Sequence, residues 1–295
     1  MAGEGGNSNL VTWAVAAVAA VGVFLLVGGN RSRQAPEPIR NGAETARPIP
    51  SGAKVPGAAG PVVHEYDAAS DQPVQKAEGK FAGSESCRKC HELNFSTWHA
   101  SYHRTMTQKP GPGSVIGDFE DAIFENHSTG YSFKMSREAE DYFITVIPPA
   151  GVDRSRHPSP VHTEHRKWPV ALLTGSHTMQ GYWVPEGPGR TMALAPLMYL
   201  KEDERWISRS SAFLEPPGRR HIFETGSWNR NCIRCHNSGP HSDVLPGGGY
   251  DSKVAEFGIS CESCHGPAAQ HVNWRRAEAD PKREPVGEDQ IVNPV

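Results

Sequence analysis

Three copies of one short motif constrain this chain more than any other feature of its sequence. Each copy reads Cys-x-x-Cys-His, and the copies are Cys87–His91, Cys232–His236 and Cys261–His265. The chain has six cysteines, and all six lie in these motifs. Since roughly 0.006 such matches are expected by chance from the composition, three copies indicate a specific chemistry.

The motif is typical of covalent c-type haem attachment. Its two thiols form thioethers with the porphyrin, and its imidazole binds the iron from the proximal side. One helical turn over this spacing places both sulfurs at the porphyrin edge and the imidazole under the iron. We therefore predict three covalently bound haem c groups. The attachment residues are Cys87, Cys90, Cys232, Cys235, Cys261 and Cys264, and the proximal iron ligands are His91, His236 and His265.

Paired cysteines also occur in zinc sites, redox dithiols and disulfides. Six cysteines in pairs would suit one four-cysteine zinc site and leave one pair over. None of these alternatives explains why a histidine follows the second cysteine every time, so haem attachment is the preferred interpretation.

Composition suggests a fold that depends on its cofactors. Only 37% of the residues are hydrophobic, and the chain contains 30 Gly and 25 Pro. A loop-rich chain with a modest apolar core usually needs covalent or metal cross-links. We expect a multihaem cytochrome c fold, mainly α with extensive loops and a small antiparallel β insertion, and an N-terminal transmembrane helix. The net charge of -3 gives no indication of nucleic acid as a partner.

An uncharged run of 18 residues covers Leu10–Val27. This length is at the lower end of what spans a bilayer. No Lys or Arg precedes the run, and a small-residue cleavage site does not follow it, so an uncleaved anchor over residues 1–30 is favoured over a signal peptide. Arg31 and Arg33 would place the following chain in the cytoplasm. Haem attachment argues for the opposite side: the bacterial inner membrane, single-pass, with the haem domain in the periplasm.

Residues 31–78 hold seven Pro and nine Ala and have Tyr66 as their only aromatic residue. That composition predicts a disordered tether. The haem domain is expected over residues 79–295, with a β-rich insertion at about 117–195.

Within the haem domain, apolar residues at three- and four-residue steps predict a helix over residues 87–106. Alternating apolar and polar residues then predict an antiparallel meander around 122–124, 131–135 and 142–147, with a turn at 128–130. A second hairpin is predicted where 182–184 and 192–194 flank Glu186–Gly189. Helix is expected again around the second and third motifs.

A low-spin electron carrier needs a second axial ligand, usually His or Met. On a straight helix, His103 would lie about 18 Å beyond His91, too far to reach the other face of the same haem. His271 follows His265 by six residues and lies on the same side of its haem. Histidines placed in this way can ligate only a neighbouring haem, which would tie the haems into one cluster.

The motifs and their surroundings resemble a known family. Four stretches are similar to multihaem cytochromes c related to the tetrahaem cytochrome that accepts electrons from hydroxylamine oxidoreductase. They are Gly83–His91 with Trp98, Ser101 and His103, then Gly175–Tyr182, Trp228–His236 and Cys261–Val272. The resemblance implies that His103, His177 and His271 are distal haem ligands, without assigning each to a haem. Members commonly continue past an Asn-Pro such as Asn293-Pro294 into a further motif, whereas this chain ends at Val295. We therefore expect a truncated product or a three-haem form completed by a further haem subunit.

The sequence predicts an electron carrier between a membrane donor, for which a quinol-linked protein is a candidate, and a periplasmic acceptor, with redox proteins as partners. The alternative is a redox enzyme, or a subunit of one, that acts on a small nitrogen or sulfur compound at a five-coordinate haem. A basic cluster is the candidate substrate site for such an enzyme, but its composition is more typical of a solvated loop. The cluster consists of Arg154, Arg156, His157, His162, His165 and Arg166. A sensor or structural subunit is the third hypothesis.

Overall fold

Buried and half-buried residues alternate over the first six residues of the strand Tyr131–Glu138, which is central to the first sheet of the molecule. The computed structural model describes residues 62–63, 65–150, 165–214, 226–285 and 287–292. All of them belong to one compact unit, Ala46–Val295. The predicted anchor, and residues 31–61 and 64 of the predicted tether, lie outside the described residues.

The described part of the chain contains fourteen strands. In chain order they are β1 (Val62–Val63), β2 (Val74–Gln75), β3 (Thr107–Gln108), β4 (Ile123–Asn126), β5 (Tyr131–Glu138), β6 (Asp141–Ile147), β7 (Arg166–Pro169), β8 (Leu172–Thr174), β9 (Met179–Pro185), β10 (Met192–Leu200), β11 (Arg205–Ser208), β12 (Asn237–Ser238), β13 (Lys253–Val254) and β14 (Glu256–Phe257).

The helices of the described chain are short. The α-helices are α1 (Ala68–Asp71), α2 (Glu92–His99), α3 (Arg209–Ala212), α4 (Cys261–His265) and α5 (Ala269–Glu278), and single 3₁₀ turns cover Ser84–Ser86, Arg104–Met106 and Cys232–Arg234.

Two five-stranded sheets form the body of the protein. The first has the order β1-β7-β6-β5-β4, and the second has the order β11-β10-β9-β8-β3. Neighbouring strands are antiparallel except for the β1–β7 pair. The register of β9 and β10 shifts between Leu194 and Met198. Pro196 lies at this point, and a proline cannot donate a hydrogen bond to the neighbouring strand.

The second sheet is the middle layer, because both of its faces are buried. Tyr182 and Val184 join a core cluster with Ile144 and other residues of the first sheet. Trp183 points to the opposite face and packs in a second cluster with Trp228, Ile233, Val254 and Phe257. That second cluster connects the sheets to the part of the chain that carries the second motif.

The prediction of a mainly α fold is wrong. The longest described helix, α5, has ten residues, while two five-stranded sheets dominate the described chain. The β region is much larger than the small insertion expected, since strands of these sheets run from Thr107 to Ser208. Short strands in loop-rich sequence, such as β3, β8 and β11, carry too few alternations to be recognised from pattern alone.

The membrane prediction also needs correction. No helix among the described residues is both long enough and apolar enough to cross a bilayer. The predicted span, Leu10–Val27, lies outside those residues. Single-pass anchoring in the inner membrane with a periplasmic haem domain is therefore not retained.

The individual strand predictions are confirmed where the pattern was strong. β4, β5 and β6 form the predicted meander, and β9 and β10 form the predicted hairpin, with Met192 opposite Pro185. Part of the segment predicted as a tether also carries secondary structure: residues 65–78 contain α1 and β2, and β2 pairs with β13.

The predicted helix over residues 87–106 is wrong in its extent, because only α2 is α-helical there. The hydroxyls of Thr97 and Ser101 bond back to the carbonyls of Leu93 and Trp98, at 3.1 and 2.7 Å. Such side-chain bonds compete with the helical backbone pattern. His103 consequently lies beyond the end of α2, so the straight-helix argument for its reach does not apply.

Candidate haem site

The first motif forms a single turn ahead of α2. The His91 N–H donates to the Cys87 carbonyl at 2.9 Å, and the Cys87 N–H donates to the Ser84 carbonyl at 3.0 Å. Cys87 is half-buried, whereas Cys90 and His91 are exposed. The two thiols and the imidazole therefore lie within one turn of backbone, as the sequence predicted.

The second motif repeats this turn in a more buried setting. The His236 N–H donates to the Cys232 carbonyl at 3.0 Å, and the Thr107 hydroxyl donates to the His236 carbonyl at 2.9 Å. Ile233, between the two cysteines, is fully buried in the second core cluster. Burial raises the pKa of the Cys232 thiol to about 11 and lowers the pKa of His236. A neutral imidazole keeps a lone pair for iron.

The third motif is itself the helix α4. Ser260 and Ser263 form a capping box at its start, and Gly266, at φ +73°, ends it. Cys261 is half-buried, and Cys264 and His265 are exposed. Each motif thus places its second cysteine at the surface and its first cysteine against protein.

A buried carboxylate joins the first and third motifs. Glu262 is 4% exposed and accepts the backbone N–H groups of Ala82, Gly83 and Ala268 at 2.8–2.9 Å. Ala82 and Gly83 precede the first motif, and Ala268 follows the third. Hydrogen bonds to a charged acceptor are about twice as strong as neutral ones. We call this arrangement the Glu262 clamp.

Further contacts hold the same two segments together. Glu256 accepts both the N–H and the hydroxyl of Ser84, and the Ser84 hydroxyl in turn accepts the Cys261 N–H at 3.3 Å. The Trp98 indole donates to the Ile259 carbonyl at 2.8 Å. Gly258, at φ +82°, lies so close to the Arg104 carbonyl that a side chain would overlap it.

As a result, the first cysteines of the two motifs meet. The thiols of Cys87 and Cys261 are close enough that their interaction lowers the pKa of Cys261 to about 6 and raises that of Cys87. The sequence places these residues more than 170 positions apart, and no local pattern predicts their contact.

One predicted distal ligand faces a proximal histidine. The rings of His91 and His271 have centroids 6.4 Å apart and planes inclined by 27°. Two imidazoles that share one iron have centroids about 6 Å apart, since each Fe–N bond is about 2 Å and each ring centre lies about 1 Å further out. The separation of His91 and His271 is therefore that expected of two ligands of one iron, and their ligation of a haem attached at Cys87 and Cys90 stays a prediction.

The surroundings of the Nδ1 atoms differ among the predicted axial histidines. His271 Nδ1 is 2.5 Å from Asp289 Oδ1, and Asp289 Oδ2 is 2.7 Å from Arg275 Nη2. The hydrogen bond to His271, with Arg275 nearby, holds the pKa of Asp289 below its usual range. His265 Nδ1 lies 2.9 Å from the Val292 carbonyl. His236 Nδ1 is buried and has no hydrogen-bond partner among the described residues.

His103 and His177 lie near each other but face no proximal histidine. His177 stacks on Tyr102, with ring centroids 4.2 Å apart, beside His103. The His177 loop is held there because Gly175 N–H donates to the Met106 carbonyl at 2.9 Å. In the described chain no ring contact joins His103 or His177 to His91, His236 or His265. Their assignment as distal ligands stays a prediction.

A cavity of about 540 Å³ lies beside α2. Its walls combine the aromatic rings of Phe95, Trp98 and Phe257 with the polar groups of His99, Arg104 and Lys109. By contrast, most of the basic cluster predicted around 154–166 lies outside the described residues, and only His165 and Arg166 are described.

The alternative interpretations of the cysteines receive no support in the described chain. All six cysteines are described and are free thiols. No three His, Cys, Asp or Glu side chains among the described residues are grouped so as to hold a bare metal ion.

Sequence reasoning missed the residues that organise the site. Glu262 lies inside a motif, where a charged residue suggests an exposed position, and Asp289 lies 18 residues from His271 with no pattern that links them. The Ser84 hydroxyl connects Glu256 to Cys261, and no local pattern links these three residues.

Comparison with known proteins agrees with the motifs. Residues 206–266, which contain the second and third motifs, match the family model described as cytochrome c554 and c-prime. No curated protein matches the chain significantly. A solved structure, the crystal structure of the outer cell wall cytochrome OcwA, is similar with a TM-score of 0.40 and 16% identity. The similarity covers 72% of this chain and 36% of that chain, so this chain spans about a third of its neighbour.

The motifs and the family match together support a multihaem c-type cytochrome with covalently bound haem c. The finer likeness to the tetrahaem partner of hydroxylamine oxidoreductase, and the haem count of three, stay predictions.

Proposed function

We propose that this chain is an electron carrier with three haem c groups. The thioethers form at Cys87 and Cys90, Cys232 and Cys235, and Cys261 and Cys264, and the proximal ligands are His91, His236 and His265. The family match supports the general class, an electron-transfer cytochrome. The haems supply reversible one-electron chemistry, and the protein fixes their positions and tunes their potentials.

The contact between Cys87 and Cys261 carries the proposal. Since each cysteine would bond to a porphyrin edge, the proximity of Cys87 and Cys261, whose backbone N–H groups both donate to Ser84, implies that two haem edges adjoin at this point. The Glu262 clamp keeps these edges together by linking backbone on both sides. An electron that enters at one haem therefore has a short path to the next.

The proposed distal ligands also connect different segments of the chain. His271 belongs to the helix after the third motif but pairs with His91 of the first, so it ties α5 to the first haem. His103 and His177 are proposed as distal ligands of the other two haems. Redox proteins are the proposed partners on both sides of the transfer.

Intact mass spectrometry and carbon monoxide titration of the mature holo-protein test this function. The expected result is three haem additions and three low-spin irons that do not bind carbon monoxide. The variant Cys232→Ala/Cys235→Ala should lose one haem and retain two. Fewer than three haems in the wild-type chain would contradict the proposal.

A second candidate, a redox enzyme, is favoured by the cavity beside α2. Arg104 and Lys109 bring there the cationic groups that a small oxyanion requires, beside the imidazole of His99 and the carboxylates of Glu85 and Glu256. This candidate requires one five-coordinate iron. A high-spin signal that disappears when nitrite or hydroxylamine is added would support it, and a carbon monoxide-inert protein would exclude it.

A further inference from the structure

The proposed axial histidines differ in the hydrogen-bond partner of Nδ1, the ring nitrogen that does not bind iron. His271 has a carboxylate, His265 has a backbone carbonyl, and His236 has no partner among the described residues. The partner of this nitrogen sets the tautomer and the basicity of the iron-binding nitrogen. Among these three imidazoles, His271 is therefore the strongest electron donor to iron.

We propose that Asp289 is a positioning residue that acts through His271 and makes the haem held by Cys87, Cys90 and His91 the most reducing of the three. This inference rests on the proposed function. A carboxylate that accepts a hydrogen bond from Nδ1–H gives the imidazole partial imidazolate character, which stabilises ferric over ferrous iron. The potential of that haem falls as a consequence.

The geometry of Asp289 suits this role. One oxygen accepts from His271 and the other from Arg275, one helical turn further along α5. Both carboxylate oxygens are therefore held by a partner, and the Asp289 side chain is only 19% exposed. Low exposure limits solvent screening, so the interaction is stronger than that of a surface pair.

The rest of the charge distribution points in the same direction. Glu262 and Glu256 place two carboxylates beside Cys87 and Cys261, at the edges of the first and third haems. Such negative charges also favour ferric iron. His236 is half-buried and lacks an acceptor for Nδ1 in the described residues. The first motif therefore combines a carboxylate-bonded axial histidine with nearby negative charge, which makes its potential the lowest of the three.

Spectroelectrochemical titration of Asp289→Asn tests the inference in the full holo-protein. Asparagine preserves the shape and removes the charge, so the lowest midpoint potential should shift upward while the other two stay in place. Glu288→Gln is the matched control, because it removes one exposed charge at the adjacent position and should leave all three potentials unchanged.

Arg275→Gln should shift the lowest midpoint potential in the opposite direction. It frees Asp289 from its cationic neighbour, so the carboxylate accepts more strongly from His271 and the same potential should shift downward. His271→Ala turns only the haem it ligates high-spin and so identifies which potential belongs to the first motif.

The inference fails if the lowest potential does not move in Asp289→Asn, or if Glu288→Gln moves it equally. If the wild-type protein has three low-spin haems but Asp289→Asn leaves its lowest potential unchanged, only the role of Asp289 is refuted. A protein with fewer than three haems would refute the proposed function itself.

Discussion

Two regions of this molecule are stabilised in different ways. Among the described residues, the β region (107–214) buries 21 apolar side chains and four polar ones. The motif region (65–106 and 226–292) buries seven apolar and eight polar side chains. The β region is stabilised mainly by hydrophobic burial, which needs nothing besides the chain. The motif region is held by hydrogen bonds such as the Glu262 clamp, and we expect the haems to supply most of its apolar contact.

The largest expected effect follows from removing the haems. When all six cysteines are replaced by alanine, the motif region should lose protection from amide hydrogen exchange, while β5, β6, β9 and β10 should stay protected. Few apolar contacts support the first region without porphyrins. Mass-resolved hydrogen exchange measures both regions in one sample, and equal loss in the two would contradict the comparison.

Truncating a side chain in the apolar core should destabilise the β region and leave the haems unaffected. Ile144 on β6 is 1% exposed, so Ile144→Ala should lower the free energy of unfolding of the β region by about 2–5 kcal/mol. The haem potentials should not change. Ile123 on β4 is 37% exposed and offers a matched control, for which the loss should stay below about 1 kcal/mol. Denaturant titration followed by circular dichroism compares the two.

A backbone contact tests how tightly the motif region is built. Gly258→Ala should cost about 2–3 kcal/mol, because alanine at φ +82° is strained and its side chain overlaps the Arg104 carbonyl. Gly247 has a similar φ of +86° and open space around it, so Gly247→Ala carries the strain alone. The difference between their unfolding midpoints measures the close approach, and equal losses would mean that the segments are loosely packed.

The smallest expected effect concerns an ion pair between the two regions. Arg190 Nε lies 2.9 Å from Asp251 Oδ1, and this bond lowers the pKa of Asp251 below its ordinary 3.8. A lowered carboxyl pKa stabilises the folded state above the ordinary pKa, and the gain disappears as the pH falls through the lowered value. Asp251→Asn should therefore cost up to about 1 kcal/mol near neutral pH and nothing in strong acid. Urea midpoints at both pH values test this, and a loss that persists in acid would contradict it.

Strong local patterns in the sequence predicted correct structure, and long-range relations did not. Tyr131, Phe133 and Met135 alternate clearly enough to identify β5, and the three motifs form the compact turns that their spacing predicted. The size of the β region was missed because strands such as β3 and β8 are two and three residues long. The pairing of His91 with His271 depends on a fold that brings residues 180 positions apart together, and no local periodicity encodes it.

The Glu262 clamp also has a consequence for the order in which the protein matures. Glu262 is separated from Ala82 by 180 residues, so at usual synthesis rates it is made about 10–40 s after the first motif. During that interval Cys87 lacks both the clamp and its neighbour Cys261. The attachment machinery can therefore reach the first motif before the contact that half-buries its thiol exists. Closing the clamp is therefore a late step of folding, since it needs segments from both ends of the haem domain.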